Sequence, residues 1–516
     1  MAQPFNVPLN RHVHQAYEPF IHQDGEIKMH TSMRPFLQPQ ADTVLQEDPL
    51  YDFKPYKISR KRFFGRALDN FLNHHFIKVD TGDFYLTIDP LFDFQRGMDI
   101  NRRQHTWVNT RGVWVRGAIG KNFSFESSFY ENQAAFPHYL DSWVREYDVV
   151  PGQGQQKPFK GQFFDYNMAM GHISWTPSKY FNVRAGHGKH FIGDGYRSLL
   201  LSDNAFAYPY IQLTTTIWKF QYTNMFTEFL NLAEDRNVTH PKKYSAFHYL
   251  STTIGKRLQV GLFENVMWHS GDSISRGFDV NYLNPVIMYR PLEFALGSED
   301  RALIGINLKY LIGDRFWVYG QGVIDDLRLS EFRNPTHYRQ KWGFQTGFVW
   351  LDAFKVENLR LQSEYNQVSP YTYTHRLASQ TYTHYNQALA HPLGANFREN
   401  VNFISYRYKR FFIEGRYSYA MFGADTGNVA WGQNVLLTES DINIRSNQIP
   451  GEIGQGVTTH LHWFGCLFAY IINPHTNMRF EVNFMRRYQH SELGQQGMNF
   501  VSVGLSTNLR NKYYDF

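Results

Sequence analysis

The chain contains a single cysteine, Cys466, among its 516 residues, so no intramolecular disulfide can staple it. No apolar run approaches the about 20 residues a membrane-crossing helix needs; the run from Phe464 to Ile472 reaches nine. Helical spanning is thereby excluded, but spanning by strands is not, since each strand carries only a weak signal. Charge of one sign is also missing. The 52 Lys+Arg and 46 Asp+Glu leave a net charge of +6, spread through the chain without a basic stripe, which argues against a nucleic-acid partner. There is no Gly-x-Ser-x-Gly elbow, no His-Glu-x-x-His, no phosphate-cradling Gly-Lys-Ser/Thr and no paired-cysteine site. The expectation is a protein that is not an enzyme, with no catalytic residue, metal or cofactor. His187 and His190 flank Gly188-Lys189 without an apparent third ligand, and His460 and His462 share one face of a strand pattern.

Aromatic residues are plentiful. Phe, Tyr and Trp number 44, 33 and 11, or 17% of the chain, yet the mean hydropathy is -0.47. So many rings in a polar chain need surfaces that alternate between two environments. A transmembrane antiparallel β-barrel meets that need, with a lipid face, a polar lumen and aromatic girdles.

Residues 1–80 show no sustained alternation and are broken by prolines at 4, 8, 19, 35, 39, 49 and 55. They predict an irregular segment that plugs the barrel or lies in the periplasm, with one short amphipathic helix between Arg60 and Leu72. From residue 81 to 516 the period is two. Phe84, Leu86 and Ile88 alternate with polar neighbours, and Phe411, Ile413, Gly415 and Tyr417 alternate with Phe412, Glu414, Arg416 and Ser418. Tight turns at 176–179, 255–256, 313–314, 409–410 and 473–477 contrast with long polar connections at 134–161, 227–243, 269–280, 327–339, 369–398 and 423–456. This pattern predicts about 18 strands. Strict alternation places the Gly255-Lys256 turn at the long-loop end, so one strand is missed or split. The chain closes on a strand ending at Phe516. Outer-membrane placement requires export, and the signal peptide is expected to have been trimmed, leaving a mature start near Gln3.

One stretch breaks the pattern. Arg184 to Tyr210 carries glycines at 186, 188, 193 and 195, then Ser198-Leu199-Leu200-Leu201-Ser202-Asp203-Asn204. It predicts a bent segment between two strands. Lys189, Asp194, Tyr196, Arg197, Asp203 and Asn204 are its candidate lumen residues. They serve either as an internal salt-bridge network or as a contact surface for a polar polymer. In the loop 369–398, Tyr371, Tyr373, Tyr382 and Tyr385 stand among Thr, His and Asn and are candidate recognition aromatics.

Gly193-Asp194-Gly195-Tyr196-Arg197-Ser198-Leu199-Leu200-Leu201-Ser202-Asp203-Asn204-Ala205, followed by Tyr208-Pro209, resembles the block found in the Wzi-like capsule-assembly family. The start Phe5-Asn6-Val7-Pro8-Leu9-Asn10 is similar to that of its RemB-like gliding-motility branch in Bacteroidetes. The resemblance implies an outer-membrane barrel with a plug-like N-terminal region. It implies a lectin-like anchor for surface polysaccharide, or a part in gliding and colony spreading. Tyr196-Arg197 departs from the capsule branch, which tends to carry Trp-Asp-Gly-like residues there. The partners implied are outer-membrane lipid and lipopolysaccharide, surface polysaccharide, and other outer-membrane proteins of a gliding or secretion assembly. The alternatives are a structural subunit without a ligand, or a diffusion channel.

Overall fold

A computed structural model describes residues 5–22, 25–37, 54–233, 239–269, 277–278, 280–284, 301–325, 340–426, 429–438, 451–507 and 509–516. Eighteen long strands form one closed antiparallel barrel. They are β1 Phe84–Asp99, β2 Gln104–Ile119, β3 Phe123–Ala135, β4 Phe163–Ser178, β5 Phe181–Gly188 and β6 Tyr208–Ile217. Next come β7 Phe220–Leu230, β8 Lys242–Ile254, β9 Leu258–His269, β10 Arg301–Leu311, β11 Phe316–Asp325 and β12 Lys341–Leu351. The last six are β13 Leu359–Val368, β14 Phe397–Tyr408, β15 Phe411–Ala424, β16 Val457–Asn473, β17 Met478–Ser491 and β18 Gly494–Thr507. The wall closes where Phe500–Ser506 of β18 pair with Asp93–Asp99 of β1.

The period-two pattern builds this wall because successive side chains point to opposite faces of a strand. On β14 and β15 the outward Ile404, Tyr406, Phe411 and Ile413 are exposed, while the inward Phe403, Ser405, Phe412 and Glu414 are buried. Trp175, Ile211, Trp218, Phe468 and Phe480 extend the exposed apolar belt around the barrel. A contiguous ring of this kind is a lipid-facing surface.

Connections at one end span two to seven residues, and most at the other span 11 to 32. Residues 327–339 and parts of 227–243, 269–280 and 423–456 lie outside the described residues. Gly255-Lys256 sits with the short turns, contrary to the alternation expected from sequence. The whole of 189–207 is one connection between β5 and β6, paired through Tyr208↔Gly188, and this restores the parity of the turns. Gly120, Gly255 and Gly313 take φ of 59°, 65° and 76° in those turns, where a Cβ would be strained.

Among the described residues, four stretches of chain enter the lumen: 5–22 with 25–37, 189–207, 369–396 and 509–516. The first contains α1, Arg11–Ile21, capped where Asn10 Oδ1 accepts from the Val13 amide at 3.1 Å. Sequence periodicity misses α1 because prolines flank and enter it, although an N-cap Asn and apolar positions 13, 16, 17 and 21 were available as signals. A second helix, α2, spans Phe63–Asn73, overlapping the predicted stretch and ending one residue beyond it. It packs on the outward side of the wall, with Phe71 stacked on Phe92 at 6.1 Å. The described part of residues 1–80 therefore divides, with 5–22 and 25–37 inside the wall and 54–76 against its outer rim.

The terminal strand does not run to Phe516. β18 stops at Thr507, and the tail turns inward because Arg510, Lys512 and Asp515 find partners only there. Lys512 pairs with Asp93, and Asp515 pairs with Arg197. The edge left at Tyr85–Ile88 is covered by the short strand Ile77–Asp80. Phe516 ends against Trp143, ring centroids 5.4 Å apart, on the helix α3 at His138–Tyr147.

Candidate functional site

The glycine-rich bend dips into the lumen, and each polar side chain that the sequence singled out makes at least one hydrogen bond there. Gly195 is required by a close approach, since a Cβ there would lie 2.3 Å from Glu364 Oε2. That carboxylate accepts from the amides of Tyr196 (2.7 Å) and Arg197 (3.0 Å), and from the Tyr319 hydroxyl at 2.9 Å. Two successive amides aimed at one buried carboxylate fix the bend with charge-assisted bonds.

Arg197 is 1% exposed. Its Nη2 donates to Glu399 Oε1 at 2.8 Å and to Asp515 Oδ2 at 2.6 Å. Its guanidinium lies 4.7 Å from the Tyr196 ring centroid. Burial works against its charge, but Glu399, Tyr196 and Tyr513 overcome it and push the guanidinium above its ordinary value. Asp515 also pairs with Arg416, whose Nη1 donates to the Tyr196 hydroxyl at 2.9 Å.

Asp194 accepts from Thr31 (2.8 Å), Ser32 (2.6 Å), Asn307 (3.0 Å) and Lys309 (3.2 Å). Burial raises its carboxyl, but Lys309, Arg34 and these bonds hold it well below the carboxylate range. Asp203 accepts from the Tyr513 hydroxyl at 2.7 Å and from Asn511 at 2.9 Å. Asn204 donates to the Ala388 carbonyl at 3.2 Å.

Lys189 donates to the carbonyls of Gly152 (2.6 Å) and Asp203 (3.1 Å). Burial pulls its ammonium down to about 8, with Asp203 opposing and Arg510 assisting. The unfolded chain then binds more protons than the folded one between pH 8 and the usual lysine value of 10.5, so stability rises with pH across that window. Urea unfolding in detergent micelles at both ends of the window should show a larger gain for the parent than for Lys189→Met. Equal gains would remove Lys189 as the cause.

The loop tyrosines are not an exposed recognition surface. Tyr371, Tyr373 and Tyr382 are buried. Tyr373 and Tyr382 donate their hydroxyls to the carbonyls of Leu199 and Leu200, both at 2.7 Å. Tyr371 donates to Ala430 O at 3.0 Å. Tyr385 is half-buried, its ring 4.7 Å from Phe206. A phenol can bury its ring and end its hydroxyl on a carbonyl, so polar neighbours in sequence do not place a tyrosine at the surface. The lumen is also less polar than expected. Leu199, Leu200 and Leu201 pack with Met225, Phe247, Phe263, Leu303 and Leu389 in an apolar core.

An open site lies beside this network. A cavity of about 330 Å³ runs between β1–β3, β15–β18, the start of α1 and the C-terminal tail. Arg11, pushed above its ordinary value by Glu414 and its neighbours despite burial, enters from α1 and pairs with Glu414. Trp463 presents its ring 4.2 Å from the Arg416 guanidinium. Arg11 Nη1, Arg416 Nε and Trp463 Nε1 are buried and have no hydrogen-bond partner among the described residues. Tyr139, Tyr130 and Tyr166 add ring faces, and Glu414, Glu481 and Asp515 add acceptors. Sequence reasoning missed this site because it combines positions 11, 416, 463 and 515, which only the fold brings together.

No protein-family model matches the chain, and no curated protein matches it. Among solved structures, it is similar to Wzi of Escherichia coli, an outer membrane protein involved in group 1 capsule assembly and a carbohydrate-binding β-barrel. Identity is 13%, the TM-score is 0.57, and the match covers 98% of this chain and 100% of that one. OccAB2 of Acinetobacter baumannii matches at 9% identity and TM-score 0.44, covering 82% of this chain and 97% of that one. OccK7 (OpdD) of Pseudomonas aeruginosa matches at 7% and 0.45, covering 83% and 98%. At these identities the likeness to Wzi establishes the outer-membrane barrel fold and nothing finer.

Proposed function

We propose that this protein is a bacterial outer-membrane barrel that holds surface polysaccharide through its lumen cavity, and that it is neither an enzyme nor an open channel. The observation that carries the reading is the trio of buried, unpartnered donors at Arg11, Arg416 and Trp463 beside aromatic faces. Sugars present hydroxyls that accept from N–H groups and C–H faces that pack on rings. The neighbouring carboxylates accept hydrogen bonds from the sugar hydroxyls in return. Unsatisfied buried donors cost free energy, and a sugar ring of matching polarity relieves that cost. The carbohydrate binding of Wzi, though at low identity, points the same way.

The test is retention of polysaccharide from the source cells by the full-length protein in detergent. Trp463→Ala removes one donor and one ring face, and binding should fall about tenfold. A parent that ignores the polysaccharide, or a variant that binds as well as the parent, overturns the reading.

The internal pairing of Asp194, Arg197 and Asp203 in the bend also supports a second reading, a structural subunit of a larger outer-membrane assembly with no ligand. Stable co-purification with other outer-membrane proteins after mild extraction, without polysaccharide binding, would favour it. The gliding role implied by the RemB-like resemblance rests on the Gly193–Ala205 block and the Phe5–Asn10 start, and the solved structures named above add nothing to it.

A further inference from the structure

The segment Lys54–Phe76 lies against the outer rim of the wall, turning inward only where His75 and the Phe76 amide meet Asp89, and its chemistry differs from that of the wall it touches. Lys54, Lys57, Arg60, Lys61, Arg62 and Arg66 fall within 13 residues, with no acidic residue before Asp69. The helix α2 follows at once, opening on Phe63 and Phe64, which are 80% and 75% exposed. Exposed adjacent phenylalanines on a fixed helix are unfavourable in water.

The helix is fixed to the wall at its far end. Asn473 donates to the carbonyls of Phe71 (2.9 Å) and His74 (2.8 Å). Asn73 accepts from the Tyr56 amide at 2.7 Å and donates to its carbonyl at 2.9 Å.

Its docking surface is the lipid-facing side of the barrel at the short-turn rim. Phe71 stacks on the outward Phe92, and the Tyr56 hydroxyl lies 3.2 Å from that of Tyr470. Tyr470 in turn meets Phe411 at 5.2 Å between ring centroids, and Phe411 belongs to the exposed belt. The helix is thus continuous with a surface that lipid already covers. Arg60 is engaged by Asp69 and Asn70, whereas Lys61, Arg62 and Arg66 remain exposed.

We infer that α2 is an in-plane membrane anchor. It lays Phe63 and Phe64 among the acyl chains of the leaflet at the short-turn end and places Lys61, Arg62 and Arg66 against anionic phospholipid headgroups. Exposed rings with basic residues at their flank match the composition of interfacial helices, and basic residues beside a bilayer attract anionic lipid. The inference rests on the barrel fold and not on the polysaccharide reading, so either can fail alone.

The test uses the full chain in vesicles of three parts phosphatidylcholine to one part phosphatidylglycerol. With Cys466→Ser as background, nitroxide labels are placed by Phe63→Cys, Phe64→Cys and, in a short turn, Lys121→Cys. Labels at 63 and 64 should be reached by oxygen and shielded from a water-soluble nickel complex at least threefold relative to the label at 121. Nickel access equal to that at 121 overturns the anchor. The triple variant Lys61→Gln, Arg62→Gln, Arg66→Gln should lose the enrichment of phosphatidylglycerol that the parent retains from mixed micelles, by threefold or more. Equal retention overturns the headgroup assignment.

Discussion

Replacing Arg197 by methionine should lower the unfolding free energy by about 3–5 kcal/mol, the cost of removing one partner from a buried ion pair. Its side chain is 1% exposed, as are those of Glu399 and Asp515. Removal leaves both carboxylates in the lumen with fewer donors. His391 and Asn366 still reach Glu399, and Arg416 still pairs with Asp515, so the lower end of the range is expected. Lysine at this position should recover only part of the loss, because a point charge cannot repeat the two-sided contact of a guanidinium. Urea unfolding in micelles, followed by the gel shift between folded and heated barrel, measures this. A loss below about 1 kcal/mol for Arg197→Met would show that the tail and the bend are held by other contacts.

Asp194→Ala is the second large effect, again about 3–5 kcal/mol, with a structural consequence that Arg197→Met lacks. Asp194 joins the bend to the N-terminal segment through Thr31 and Ser32 and to the wall through Asn307 and Lys309. Without it, Lys309 keeps the Thr31 hydroxyl but loses its counter-charge. The folded carboxyl sits below its ordinary value of 3.8. Its contribution is therefore complete above about pH 4 and fades only as pH falls toward the folded value. Residues 31–34 should loosen, exposing Arg34 to trypsin. A barrel that conducts little in planar bilayers should begin to open in bursts. Adding Lys309→Met should restore part of the stability, because the orphaned charge is then gone. A variant that resists trypsin and conducts as the parent does would refute the coupling. A large steady conductance in the parent would refute the filled lumen.

The wall was legible in the sequence because its determinants are local. Alternation at Phe411–Ser418 assigns each side chain to lipid or lumen, since a strand has two faces and a period of two. The tight glycine turns at 255 and 313 mark strand ends for the same local reason. The bend at 184–210 was legible as an irregularity because its glycines cannot belong to an ordinary strand. That Asp194, Arg197 and Asp203 would be consumed internally was one of two open readings, and their spacing could not decide it.

The interior was not legible. A segment that leaves the wall carries no periodicity to say whether it turns inward or outward. The loop 369–398 and the tail 509–516 both have the polarity of exposed loops, yet much of each turns inward, where polar groups find partners across the lumen: Tyr373 on Leu199, Tyr513 on Asp203, Asp515 on Arg197. The division of residues 1–80 was hidden in the same way. Composition and period by themselves determined a barrel with an apolar belt and about 18 strands, since burial against lipid acts residue by residue along each strand. Only the tertiary structure decided what fills that barrel and where a ligand-sized cavity remains. Those outcomes depend on partners as distant in sequence as Arg11 and Glu414, which only the closed wall brings together.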